Sequence, residues 1–155
     1  MVGLLSGCAY YSTSAGAVGG IRSIAVPLSD NQTAEFGIGE ELTERLVEAF
    51  TRDGRLRVVD AESADAVMHL SVQVIEDAPF TYTAQEVTEQ YRFRLVAGAR
   101  LVRAGDEEVL LALERLEGWG TYDAALPEAE GRSPATRRAL DMVIAEIVDR
   151  TAAGW

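Results

Sequence analysis

The sequence predicts an α+β domain: a two-layer α/β sandwich with two helices packed on one face of a mixed, mostly antiparallel four- to five-stranded sheet. Three observations carry this. Residues 38–52 and the segment after Ser133 repeat their apolar residues at helical spacing on one side only. The stretches from Ala66 and from Tyr91 alternate apolar and polar residues, as half-buried strands do. The element order, β-α-β-β-β-β-α, then gives two one-sided helices a one-sided sheet to cover. At 155 residues, with no internal repeat, the chain has room for one such domain.

Residues 1–8 read as the remnant of a signal sequence, and 9–20 (AYYSTSAGAVGG) as a flexible tether of small residues. The domain is expected over 21–155. IRSIAVPL is the first strand, with Pro27 marking a sheet edge or a strand end. SDNQTAEFG is expected as loop. In the first helix Ile38, Leu42, Leu46 and Phe50 recur every four residues, with Val47 and Ala49 flanking them. Glu40 and Glu41 suit its first turn and Arg52 its last, and Asp53-Gly54 stops it. LRVVD is a short strand. From Ala66, period two places Met68, Leu70, Val72 and Val74 on one face and His69, Ser71 and Gln73 on the other. Residues 76–89 are polar with aromatics and a proline, and are expected as a long hairpin tip.

In YRFRLVAGARLVR, Tyr91, Phe93, Leu95, Ala97, Ala99 and Leu101 are expected to face the core, and Arg92, Arg94 and Arg100 to face outward. After the turn AGDEE, VLLALERLEGWG returns antiparallel. TYDAALPEAEGR is expected as loop. Ser133-Pro134 reads as an N-cap followed by proline at the first helical position. Leu140, Val143, Ile144, Ile147 and Val148 form the last helix's apolar stripe.

The formal charge is −11, and all 14 basic residues are arginine against 25 acidic ones. Such a chain repels phosphate backbones, so no nucleic-acid partner is expected. Catalytic signals are lacking: there is no G-x-S-x-G, HExxH, P-loop or GxGxxG. Glu40/Glu41 and Asp106/Glu107/Glu108 read as a helix start and a hairpin turn, without the alternating oxygen ligands of a calcium loop. His69, the only histidine, reads as a solvent-facing or hydrogen-bonded strand residue. No catalytic residue, metal site or cofactor is therefore expected. Activity lost in a folded His69→Ala variant would argue for an enzyme instead.

Cys8 is the only cysteine, which excludes an intrachain disulfide and a multi-cysteine zinc site. Leu5-Ser6-Gly7-Cys8 matches the lipobox of bacterial lipoproteins, in which small residues precede a cysteine that carries diacylglycerol. The alternative is a plain structural or tail thiol. The seven residues before Cys8 hold no positive n-region and fall short of the roughly 7–15 apolar residues of a signal h-region, so a longer natural leader is expected.

Arg92, Arg94 and Arg100 share one strand face and could hold a polyanionic head group through charge-assisted hydrogen bonds. Alternatively they form a solvated face, paired with glutamates such as Glu114. Phe80 and Tyr82 are either partner anchors or fold back onto the sheet.

With these pieces in order, the chain resembles the LPS-assembly lipoprotein family (LptE). The resemblance runs from Cys8 to Trp155 through IAVPLSDNQT, with Asn31 and Thr33, GIGEELTERLVEAF and GRLRVVDAESADAVMHLSV. It continues through YRFRLVAGARLV, EGWGTYDAA with Gly118 and Tyr122, and RRALDMVIAEIVDRTAAGW. Three features depart from the family pattern: the short leader, Gly39 where such helices more usually begin with an acidic residue, and the missing lysines. Any lipopolysaccharide-contacting lysine would have to be an arginine here.

The resemblance implies a non-catalytic lipoprotein, lipid-anchored at the periplasmic side of the outer membrane. It further implies a protein that plugs an LptD-type outer-membrane β-barrel and assists lipopolysaccharide transport. A different envelope lipoprotein of similar fold, regulating a cell-wall enzyme or serving a secretion channel, stays open. The long 91–101 and 109–119 pair followed at once by a terminal helix favours the first.

Overall fold

The computed structural model describes residues 20–153; Cys8, the tether residues 9–19 and Trp155 lie outside them. The strands are β1 (Ser23–Ala25), β2 (Asp30–Asn31), β3 (Arg57–Val58), β4 (Ala66–Tyr82), β5 (Thr88–Arg103) and β6 (Val109–Asp123). The helices are α1 (Ile38–Asp53) and α2 (Arg132–Ala153). The sheet runs β3-β1-β4-β5-β6, with β2 also paired to β4. The short N-terminal pairings are parallel, and the long β4–β5 and β5–β6 ladders antiparallel. Both helices cover one face, as expected.

α1 buries Ile38, Leu42, Leu46 and Phe50, and Gly54 ends it in the left-handed region (φ 75) while donating to the Phe50 carbonyl. Gly39 is where the family pattern breaks. A Cβ there would lie 3.1 Å from the Ser29 carbonyl oxygen, so the close approach of β2's entry strap favours glycine over an acidic residue. Thr43 fixes the same approach, its hydroxyl accepting from Ser29 N–H and donating to the Gly39 carbonyl. Asp65 joins the two halves of the sheet: its carboxylate accepts the Arg22 and Ser23 N–H groups at 2.7 and 2.9 Å. Those two bonds, with the Ser23 hydroxyl, hold its pKa below the usual carboxylate range.

α2 buries Ala135, Ala139, Leu140, Val143 and Ile147 against β5 and β6. Gly118 and Gly120 make this possible. A Cβ at Gly118 would fall 1.9 Å from the Ala139 carbonyl oxygen, and one at Gly120 2.4 Å from that of Ala135. The helix therefore rests directly on β6 backbone.

Four expectations are corrected. SDNQTAEFG is not all loop: Asp30 and Asn31 pair in parallel with Ser71 and Val72, making a sixth, two-residue strand. Of the two readings of Pro27, the strand end holds, since β1 stops at Ala25 and is an interior strand. Val74 leaves the core face because β4 carries a bulge between Val72 and Val74, after which Ile75 turns inward. The hairpin tip shrinks to 83–87, since β4 runs to Tyr82 and β5 resumes at Thr88. Residues 79–91 of that ribbon are exposed or half-buried throughout, so its sequence lacks apolar alternation. Finally, α2 begins at Arg132, one residue before Ser133, after a turn in which Glu130 and Gly131 N–H donate to the Pro127 carbonyl. Ser133 and Pro134 thus sit inside the first turn, where proline's missing N–H costs nothing.

Candidate functional site: the open sheet face and the Arg132 hub

The sheet face opposite the helices is uncovered, and β5 presents Arg92, Arg94 and Arg100 on it. The structure separates the three. Arg94 lies between two carboxylates, donating to Glu76 at 3.1 and 3.2 Å and to Glu117 at 3.4 Å, while Arg115 shares Glu117. Arg92 is instead sandwiched between rings, 4.0 Å from the Phe80 centroid and 5.4 Å from that of Trp119. Its Nε is buried without a hydrogen-bond partner. Arg100 lies six residues beyond Arg94, roughly 20 Å along the strand. It pairs across the ladder with His69 and has no ion pair among the described residues.

Arg100 and His69 flank a shallow groove of ≈ 480 Å³, with Ser71, Gln73, Gly98 and Glu114. Its floor is low because Gly98 has no side chain; a Cβ there would meet Gln73 Nε2 at 2.7 Å. Gln73 Nε2 spans the floor to the Glu114 carbonyl at 3.1 Å. Of the tip aromatics, Phe80 folds back under Arg92, whereas Tyr82 stays exposed.

Sequence reasoning missed a second assembly at one end of the helical layer. Arg132, at the start of α2, donates to both Glu35 oxygens at 2.8 and 2.9 Å and from Nε to Asp77 at 3.0 Å. Its guanidinium carbon lies 5.0 Å from the Phe93 ring centroid. Tyr122 donates its hydroxyl to Asp77 at 3.0 Å and stacks on Tyr91. One guanidinium fork therefore ties the β2–α1 loop, β4 and α2 together over a β5 ring, and Tyr122 of β6 joins through Asp77.

The side-chain hydrogen bond from Arg132 holds the Glu35 carboxyl below its ordinary pKa. Burial first, then Asp77, pushes the Tyr122 phenol up to about 12. The Arg132 guanidinium is pushed further up by its two carboxylates. Asn31 and Thr33 place Glu35: Asn31 Oδ1 accepts from the Thr33 N–H and hydroxyl, and Asn31 Nδ2 donates to the Glu35 carbonyl. Tyr122, Asn31 and Thr33 stood out in the sequence only through the family resemblance; Arg132, Glu35 and Asp77 carried no signal.

The described residues thus form a one-sided sandwich whose open sheet face is charged. Solved structures share that fold. Protein XCC0632 from Xanthomonas campestris matches with TM-score 0.66 at 15% identity, over 86% of this chain and 85% of that one. An uncharacterized lipoprotein B from Nitrosomonas europaea matches with TM-score 0.63 at 14%, over 86% and 83%. A minor lipoprotein from Acinetobacter baumannii matches with TM-score 0.57 at 14%, over 85% and 93%. No curated protein matches the sequence.

The particular family follows from the sequence itself. Residues 21–151 match the LptE model, Lipopolysaccharide-assembly, and the chain belongs to that family of non-catalytic lipoproteins.

Proposed function

We propose that this chain is an outer-membrane lipoprotein, anchored at the periplasmic side through an acylated Cys8. It pairs with an LptD-type β-barrel and assists lipopolysaccharide transport and assembly. The match to the lipopolysaccharide-assembly family over 21–151 carries this reading, because it spans nearly the whole described domain, including both glycines beneath α2 and the Tyr122 end. A compact domain with an open charged face also suits a barrel lumen lined by polar side chains. Lipopolysaccharide is assigned to Arg92, Arg94 and Arg100, with Arg100 the one of these three that has no carboxylate or ring partner among the described residues.

The test uses the native gene with its upstream sequence and a C-terminal tag. After mild detergent extraction, a large barrel protein should co-purify with a chain whose N-terminal mass carries diacylglycerol on Cys8. An unmodified chain would refute the anchor, and a lipidated chain without a barrel would point to another envelope lipoprotein. Charge reversal at Arg92 and Arg94 is expected to abolish lipopolysaccharide capture with an unchanged circular dichroism spectrum. Unaltered capture would leave Arg92 to its two rings and Arg94 to its two carboxylates, with no part in lipopolysaccharide binding.

A further inference from the structure

The hub end of the molecule carries an apolar residue that packing does not explain. Phe36 is 98% exposed, more than any other large hydrophobic residue of the described chain. Single exposed apolar residues are ordinary on protein surfaces. Phe36 differs in how firmly it is held out. On its N-terminal side Asn31 and Thr33 lock the loop, and Glu35 is clamped through both oxygens to Arg132. On its C-terminal side Gly37 turns through the left-handed region (φ 78), and its carbonyl accepts the Glu41 N–H, the first bond of α1. The ring is therefore presented on a fixed backbone.

Leu126, 45% exposed, stands across the same ion pair on a second braced turn. There Leu126 N–H donates to the Asp123 carbonyl, Ala125 N–H to the Asp123 carboxylate, and Ser133 N–H to the Glu128 carbonyl. Phe36 and Leu126 thus flank a polar centre of Glu35, Glu128 and Arg132, and a cleft of ≈ 290 Å³ beside Phe36 separates the starts of α1 and α2.

The geometry points to this end as the docking surface for a protein partner, with Phe36 as the anchor ring and Leu126 as a second apolar foot. The partner fitted has an apolar pocket the width of a phenyl ring, rimmed by basic or N–H groups that meet Glu128 and the outer edge of Glu35. The charge and the rigidity decide against a lipid surface. The surrounding charges are Glu35, Glu41 and Glu128 against Arg132 and Arg137, so the patch is acidic on balance and repelled by anionic lipid. A single ring and one leucine also offer far less apolar area than an interfacial helix buries. For a protein pocket the same features are assets: an aromatic anchor within a polar rim is the common anatomy of a binding hot spot. A backbone already fixed also lowers the ordering cost of association. Assigning the pocket to the barrel's lumen rests on the partnership proposed above.

The experiment places p-benzoyl-phenylalanine at position 36 of the full-length, tagged native chain and irradiates intact envelopes. A second chain carries the photoreactive residue at Arg52, exposed near the far end of α1 and roughly 21 Å along the helix axis from its start at Ile38. Position 36 is expected to give an adduct with the barrel at least tenfold stronger than position 52. Phe36→Ala, which removes no buried packing, is expected to lower barrel recovery tenfold or more with an unchanged circular dichroism spectrum. If wild type and Phe36→Ala recover the barrel equally, or position 36 crosslinks only lipid, the docking assignment fails while the partnership stands. If wild type recovers no barrel at all, the partnership fails and this surface's assignment falls with it.

Discussion

Gly118 sets the spacing between the two layers. α2 lies so close to β6 that even a methyl group at this position would enter the Ala139 carbonyl. The clash is with backbone, so no rotamer change relieves it, and the helix must lift along its buried face. Gly118→Ala is expected to lose about 3 kcal/mol, read as a lower urea midpoint with an unchanged slope. A midpoint within error of wild type would mean that α2 does not rest on the strand. This residue was visible in the sequence only as part of EGWGTYDAA, through the family resemblance. A glycine between alternating residues announces a close approach of some backbone, but not which one.

At the scale of elements, the helices and long strands were legible because each buries one side. Leu42, Leu46 and Phe50 on α1, and Phe93, Leu95 and Leu101 on β5, sit where their spacing put them. Three things were not legible, each for a local reason. The bulge at Gln73 adds one residue to a period of two, which no composition announces, so Val74 was placed on the wrong face. β2 is two residues long and joins the sheet by backbone pairing, which leaves no side-chain alternation to read. The ribbon beyond Pro79 has no buried face, so it looked like loop.

That last point makes the tip dispensable to folding. Replacing 80–90 with Asn-Gly, which joins the paired residues Pro79 and Tyr91 by a two-residue turn, removes largely exposed side chains, the Phe80 ring beneath Arg92 and the bond from Ala124 N–H to the Glu89 carbonyl. The change in unfolding free energy is expected to stay within about 2 kcal/mol, one net hydrogen bond and one exposed cation–π contact. A chain that no longer folds would show the ribbon to be part of the core.

For the whole molecule, the hub at Arg132 shapes how stability depends on pH, joined on the acid side by Asp65. The sequence could not reveal it, since its bonds span 97 residues to Glu35 and 55 to Asp77 and follow no local pattern. Glu35 has a lowered pKa when folded, so its contribution is fully present above the ordinary carboxylate value of 4.5 and is lost as pH falls through the folded value. Tyr122 has a raised pKa, so its contribution is present below 10.0 and is lost as pH rises toward about 12. Urea midpoints are therefore expected to form a plateau between these limits. Glu35→Gln should make the acid limb shallower, leaving the share of Asp65, and Tyr122→Phe should flatten the alkaline one. Limbs left unchanged by both substitutions would place the titrating groups elsewhere.

The pairing of strands also divides the chain by time. β1 and β2 both attach to β4, and β3 attaches only to β1, so the N-terminal half has no hold on the sheet until residue 66 and beyond has been made. The antiparallel half needs only its own short turns, whereas joining β1 to β4 closes a loop of about 40 residues, at a larger entropy cost. A chain delivered N-terminus first thus presents the apolar stripe of α1 with nothing to cover it. Its later half can assemble from neighbours in sequence, and then serves as the template on which the earlier half comes to rest.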